Sequence, residues 1–85
     1  MAHFYTPTPS TTDAYHKDAS GHEYYGKAPK GKTSSQAAWQ IFKMEYTGDN
    51  WIILYPADNG IGSDQPKFVW DDVETYTYVH LGCTT

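Results

Sequence analysis

The sequence predicts an all-β protein: a small antiparallel meander of about four strands, preceded by a long extended N-terminal arm. Residues 37–81 contain short apolar and aromatic runs separated by turn residues, which is typical of strands. Residues 1–36 contain no Ile, Leu or Val and therefore lack the apolar area of a core. At 85 residues the chain is one small unit, which we divide into an arm, residues 1–36, and a β module, residues 37–85.

The predicted arm is polar and irregular. Its "TPTPSTT" stretch favours extended backbone, because proline fixes its own φ and restricts the residue before it. "YYGKAPKGKTSS" holds two glycines and a proline, which indicates an irregular strap. We expect the arm to be ordered by a neighbouring subunit or, alternatively, by its own β module. Its aromatic residues are the expected anchors: Phe4, Tyr5, Tyr15, Tyr24 and Tyr25.

A hairpin is predicted around Gly48 and Asp49, with glycine supplying the positive φ of a type II′ turn. Because side chains alternate along a strand, this turn gives each sheet face its own set of residues. One face is wholly apolar or aromatic: Phe42, Met44, Tyr46, Trp51, Ile53 and Tyr55. The other is about half apolar: Trp39, Ile41, Lys43, Glu45, Ile52 and Leu54. Both faces then need a cover, for which we expect the arm and a second subunit.

The rest of the β module is predicted to be a loop, two short strands and the turn between them. Residues 56–66 are rich in glycine, proline and aspartate and are predicted to form the loop. Residues 67–70 form the third strand, residues 71–74 an acidic turn, and residues 75–81 the fourth strand.

Charge argues against nucleic-acid binding. The formal net charge is −4 and there is no arginine. Residues 37–85, which hold most of the aromatic residues, carry seven acidic residues and only two lysines. Arginine makes the bidentate contacts to phosphate and guanine, so we expect no nucleic-acid partner.

Compartment signals favour an origin in the cytoplasm. Cys83 is the single cysteine, so no internal disulfide can form. No apolar run approaches the roughly 20 residues of a membrane span. The N-terminus has neither the basic nor the apolar region of a secretory signal. We expect no membrane partner.

Metal and cofactor sites are not predicted. Residues 58–64 place oxygens and glycines close together, as calcium loops do, but the position of the bidentate Glu is occupied by Val69. A glycine turn explains these residues better. The four histidines lack the spacing of a zinc site: His3, His16, His22 and His80.

Catalysis is not predicted either. Asp71 and Asp72 are adjacent and, on a strand, would point to opposite faces, so turn formation explains them better. Cys83 lies in a terminal tail with no fixed base nearby. We expect a protein that is not an enzyme.

The aromatic residues of the β module admit three interpretations. They form a core, a protein interface or a stacking platform for sugar rings, in that order of preference. For a protein interface on the sheet, four residues are predicted: Trp51, Trp70, Tyr76 and Tyr78.

Three sequence patterns resemble small structural proteins of tailed bacteriophage virions. The first is Ala-x-Trp-x-Ile at residues 37–41, preceded by Tyr-x-Gly-x-Ala-like residues at 25–28. The others are Val-Trp-Asp-Asp at residues 69–72 and Tyr-x-Tyr at residues 76–78. The resemblance covers about the last 60 residues and departs at Val73, where those proteins have arginine.

The resemblance implies a virion component made in the host cytoplasm. Its partners would be protein subunits of the same assembly, either further copies of the chain or a major structural protein. An extended arm suits binding across many identical neighbours, which favours decoration of a capsid. A tail, tip or fibre-attachment component is the alternative, and a small glycan-binding module is a further one.

Overall fold

This computed structural model describes residues 11–84, which form six strands and one short 3₁₀ turn. The strands are β1 (Thr11–Lys17), β2 (Glu23–Pro29), β3 (Gln40–Thr47), β4 (Asn50–Asp58), β5 (Ile61–Gly62) and β6 (Tyr78–Val79), and the turn spans Trp70–Asp72. All strand pairs are antiparallel, in the order β1-β2-β3-β4-β5, with β6 also beside β4. The predicted all-β antiparallel class is therefore confirmed. The first ten residues of the predicted arm lie outside the described residues.

The central β3–β4 hairpin forms as the sequence predicts. Thr47 pairs with Asn50 across the two-residue loop, and Gly48 has a φ of 61°. Tyr46 lies opposite Trp51, as predicted. The face assignment of both strands is consequently the predicted one, because the parity of side chains follows from the turn.

β1 and β2, which fall within the predicted arm of residues 1–36, belong to the same sheet as the central hairpin. Tyr15 pairs with Tyr25, and Tyr25 pairs with Phe42 of β3. In β2 every second residue is buried: Tyr24, Gly26 and Ala28. This is the period of two that a half-buried strand requires, but one aromatic ring and two small residues replace the aliphatic ones.

The stretch predicted as the loop of residues 56–66 is largely a second hairpin. β4 continues to Asp58, and the chain turns through Asn59 (φ 53°) and Gly60 (φ 85°) into β5. Two successive positive φ values define a type I′ turn, for which Asn-Gly is the preferred pair. Residues 58–64, which were considered as a calcium loop, lie in this hairpin. There the Asp58 carboxylate accepts a 2.6 Å hydrogen bond from the Lys67 ammonium.

The predicted third and fourth strands are mostly irregular. Within residues 67–70, Phe68 makes one isolated bridge to Trp39, and the 3₁₀ turn begins at Trp70. Of residues 75–81, only β6 is a strand. The acidic turn explains the difference: Thr75 donates its N–H (2.8 Å) and its hydroxyl (2.6 Å) to the Asp72 carbonyl, which folds the chain back early.

One sheet face packs under residues 68–78, which we name the C-terminal cover. The buried core between sheet and cover consists of Tyr24, Ala28, Trp39, Ile41, Phe68 and Val73. Ile41 is fully buried. Backbone hydrogen bonds attach the first residues of the cover to the chain before β3, from Trp39 N–H to the Phe68 carbonyl (2.9 Å) and from Asp71 N–H to the Ser34 carbonyl (3.0 Å).

Inside the C-terminal cover, hydrogen bonds between tyrosine hydroxyls and the backbone take the place of regular secondary structure. The Tyr76 hydroxyl accepts a 2.8 Å hydrogen bond from the Val69 N–H, and the Tyr78 hydroxyl donates to the Val73 carbonyl at 2.5 Å. Burial raises the pKa of Tyr78 above its usual range. Across residues 11–84, every buried side-chain nitrogen and oxygen has a hydrogen-bond partner. The core is thus complete within the described chain.

Candidate protein-binding face

The opposite face of the sheet is not covered by any described part of the chain. We name it the open face. Strand parity and register assign it the following residues: Asp13, Tyr15, Lys17, Glu23, Tyr25, Lys27, Gln40, Phe42, Met44, Tyr46, Trp51, Ile53 and Tyr55. It includes all six members of the wholly apolar or aromatic set, so the chain buries the more polar side of its hairpin and exposes the less polar one.

A row of four rings crosses the open face at one register of the sheet. Tyr15, Tyr25, Phe42 and Tyr55 come from β1, β2, β3 and β4 in turn. The centroid distances along the row are 5.2, 5.1 and 6.3 Å. The central rings, Tyr25 and Phe42, are stacked with an interplanar angle of 19°. Such contacts stabilise cross-strand neighbours, so the row is a rigid feature.

The carboxylate of Glu23 binds two tyrosine hydroxyls beside this row of rings. Glu23 accepts hydrogen bonds from the hydroxyls of Tyr15 and Tyr46. These bonds lower the pKa of Glu23 and raise the pKa of Tyr15 and of Tyr46 to about 12. Neighbouring hydroxyls therefore already occupy two acceptor positions of the carboxylate.

A cleft of about 380 Å³ lies at one end of the open face. Its walls include Tyr25, Phe42 and Tyr55, and its polar lining includes Asp13, Lys27 and Gln40. The rings come from the row and the polar groups from the adjacent register, two residues further along each strand. The cleft can therefore receive an apolar or aromatic group and bond a polar atom at its edge.

The other end of the open face is the tip of the β3–β4 hairpin. Trp51 is 55% exposed and Ile53 38% exposed there. The intervening residue, Ile52, is 44% exposed and points to the opposite face. The open face therefore has a recess at one end and a protruding indole at the other.

The structure divides the predicted interface residues into three groups. Tyr15, Tyr25 and Trp51 lie on the open face, as an interface requires. Phe4 and Tyr5 lie outside the described residues. The rest pack within the chain itself: Tyr24, Trp70, Tyr76 and Tyr78.

The prediction that these four aromatic residues form an interface needs correction, because their side chains pack within the chain. Tyr24 is 4% exposed and donates a 2.8 Å hydrogen bond to Asp18. The Trp70 ring lies 5.7 Å from that of Trp39, and both Tyr76 and Tyr78 bond the backbone of the cover. Tyr24 is a buried core residue, and Trp70, Tyr76 and Tyr78 are partly buried against that core.

Several residues of the open face were not among the predicted interface residues. Phe42, Tyr46 and Tyr55 were placed on the correct face but not selected as contacts. Glu23 was placed in the arm, so its position between two tyrosines was missed. Glu23, Tyr25 and Lys27 mix charged side chains with an aromatic ring, so no periodicity in the sequence marked them as one face.

Other side-chain clusters are small. His16 Nε2 lies 2.7 Å from the Glu74 carboxylate, joining β1 to the C-terminal cover through exposed groups. Within residues 11–84, no group of three or more His, Cys, Asp or Glu side chains is arranged to hold a metal ion. The same residues contain no helix that is long and apolar enough to cross a membrane.

No protein family model, curated protein or solved structure matches this chain.

Proposed function

We propose that the protein is a non-enzymatic assembly protein that docks on neighbouring protein subunits through its open face. The observation that carries the proposal is the exposure of the apolar side of the sheet, although the core is complete on the other side. Exposed apolar surface of this kind marks interaction sites. Aromatic side chains concentrated on a rigid surface are also the residues that dominate binding energy at protein interfaces.

The virion of a tailed bacteriophage is the proposed setting, and the support for it is the resemblance at residues 37–41, 69–72 and 76–78. Within the virion we propose either a capsid-decorating or a tail position. The preference for the capsid depended on a long arm, and residues 11–29, assigned to that arm, are strands of the sheet. Neither position is therefore favoured.

A glycan-binding module is the second candidate, supported by the aromatic cleft with its polar lining of Asp13, Lys27 and Gln40. A sugar platform presents ring faces to the ligand. Here Tyr25 and Phe42 stack on each other, so each ring covers a face of its neighbour. The row thus offers mainly ring edges, and protein docking is the better-supported function.

Lysine footprinting tests the proposal directly. Lys27 lies on the open face, whereas Lys32 lies in the turn after β2 and is also exposed. We expect acylation of Lys27 to fall at least several-fold when the chain is in purified particles, with Lys32 labelled equally in both states. Equal labelling of Lys27 in the monomeric free chain and in the particle, or absence of the chain from particles, contradicts docking through this face.

Two variants, Trp51→Ser and Ile52→Ser, separate docking from glycan binding. Trp51→Ser removes an exposed indole from the open face, and Ile52→Ser removes a similarly exposed side chain from the opposite one. We expect only Trp51→Ser to reduce incorporation into particles. A fluorescence change of Trp51 on titration with polysaccharide, with normal incorporation of both variants, supports the glycan module instead.

A further inference from the structure

We infer that the subunit docked on the open face is a second copy of this chain, packed face to face so that the Trp51 of each copy enters the cleft of the other. The inference rests on the proposed function and names the partner of the same face. Its support is the arrangement of charge, shape and area on that face.

Charge balance is the first argument. The open face carries two carboxylates, Asp13 and Glu23, and two lysines, Lys17 and Lys27, so its formal charge is zero. The chain has ten acidic residues and six lysines in all, so the eight acidic residues and four lysines elsewhere give the whole net charge of −4. Two copies repel each other through most of their surfaces, but not through this one.

Shape is the second argument. In a two-fold dimer each surface meets itself, so a recess on one copy must meet a protrusion of the same surface on the other. The cleft and Trp51 lie at opposite ends of the open face, separated by four to six residues along the hairpin strands. A two-fold axis across the strands turns one copy end for end, which brings each Trp51 over the opposing cleft.

The sheet architecture supplies the third argument. Two sheets that pack face to face form a core about 10 Å thick from interdigitating side chains. This chain has one sheet whose second apolar face has no partner in the described residues. A second copy completes a sandwich in which the two aromatic rows form the middle layer.

The size of the face is adequate for such a dimer. Four strands about 4.8 Å apart and about eight residues long, at roughly 3.3 Å per residue, give a footprint of about 500 Å². The accessible area of a surface with a cleft and a protruding indole exceeds its footprint. Two such faces would bury at least about 1,000 Å² in total, which is the lower limit for a specific interface.

Analytical ultracentrifugation of the purified chain tests the inference. From about 1 µM to 1 mM, which spans about 4 kcal/mol of association free energy, we expect a monomer–dimer equilibrium. Trp51→Ser should raise the dimer dissociation constant about 100-fold, because each substitution removes two buried indoles from a symmetric interface. Ile52→Ser is the matched control, and it should dimerise as the wild type does.

A charge variant gives an independent readout that does not remove an aromatic group. Lys27→Glu leaves the open face with a formal charge of −2, so we expect the dimer dissociation constant to rise at least about tenfold. Lys32→Glu makes the same change in net charge in the turn after β2 and should leave dimerisation nearly unchanged. Circular dichroism of all four variants verifies that they fold.

The outcomes are distinct from those for the proposed function. A monomer throughout the concentration range, an oligomer larger than a dimer, or a dimer that survives Trp51→Ser overturns the inference. Protection of Lys27 in particles together with a monomeric purified chain overturns the inference and leaves docking through the open face intact. A dimer lost in Trp51→Ser and Lys27→Glu, and retained in both controls, supports it.

Discussion

Alanine at position 26 should destabilise the protein, because the C-terminal cover leaves no room for a methyl group there. Gly26 is buried in β2, and its φ is not positive, so alanine meets no backbone strain. A Cβ atom at this position would lie 2.5 Å from Cε3 and 2.6 Å from Cζ3 of Trp70, and 3.0 Å from Cε3 of Trp39. Carbon atoms prefer a separation of about 3.5–4.0 Å, so the Trp70 ring must move by about 1 Å.

The sign of the effect is diagnostic. In an uncrowded strand, Gly26→Ala would stabilise the protein by about 0.4–1 kcal/mol, since alanine restricts the unfolded chain. Overpacking of a well-filled core costs about 1–3 kcal/mol. We therefore expect a net loss of about 1–2 kcal/mol, which lowers the Tm by roughly 5–15 °C for a domain of this size.

Thermal unfolding followed by circular dichroism measures the change, and a double-mutant cycle with Trp70→Ala identifies its cause. In the Trp70→Ala background, Gly26→Ala should become neutral or stabilising, which gives a coupling free energy of about 1–2 kcal/mol. A neutral or stabilising effect of Gly26→Ala in the wild-type background would refute the packing of Trp70 on β2. It would also remove the reason for excluding Trp70 from the interface.

Three further changes test the core, the open face and the second hairpin. Ile41→Ala should cost about 2–5 kcal/mol in urea unfolding, because the side chain is fully buried, whereas Ile41→Val should cost only about 0.5–1.5 kcal/mol. Glu23→Gln should return the pKa of Tyr15 and Tyr46 from about 12 towards 10 in an absorbance titration of tyrosinate, because the carboxylate that holds their protons is lost. The raised pKa values mean that the stability linked to Tyr15 and Tyr46 is present below pH 10 and is lost as the pH rises from 10 to 12. Because the pKa of Glu23 is lowered, its contribution to folding stability is present above the usual carboxylate pKa and is lost as the pH falls below that value. The wild type should therefore lose more stability than Glu23→Gln at both high and low pH. Asn59→Ala should cost about 1–2 kcal/mol at an unchanged urea m-value, because a Cβ atom disfavours the φ of 53° and, of the residues that carry one, asparagine tolerates it best; an unchanged midpoint would contradict the type I′ turn.

The central hairpin could be predicted because its information is local. Gly48 fixes the turn, the turn fixes the register, and the register assigns residues to faces over both strands. The Asn59 and Gly60 turn is equally local, but it was assigned to a loop because Pro56 suggested that β4 had ended. Pro56 is accommodated in the strand, where its carbonyl accepts a 3.0 Å hydrogen bond from the Ser63 N–H.

The first two strands were missed because their buried positions carry little aliphatic area. Tyr24, Gly26 and Ala28 form a core only when Trp39 and Trp70 fill the space above the glycine. That complementarity connects residues more than 40 positions apart, and no local pattern contains it. Composition alone therefore underestimated how much of this segment could be ordered.

The choice between core and interface was the hardest to predict for the aromatic residues. Trp51 and Trp70 each lie where an apolar run meets polar residues, yet one is 55% exposed and the other packs on the core. The difference arises from which sheet face the C-terminal cover crosses. That depends on the local early turn at Thr75 and on the pairing of Phe68 with Trp39, which is a tertiary contact.

The separation of the two sheet faces has a consequence for how this sequence can diverge. Along β3 and β4, selection for a stable fold acts on one set of alternate residues, including Ile41 and Leu54, and under the proposed docking function selection for a partner would act on the set between them, including Phe42 and Trp51. Descendants that change partners should accumulate substitutions at every second position of the same strands. The substitution rate would then alternate from residue to residue along each strand. The positions with the higher rate would show which face had acquired a new partner.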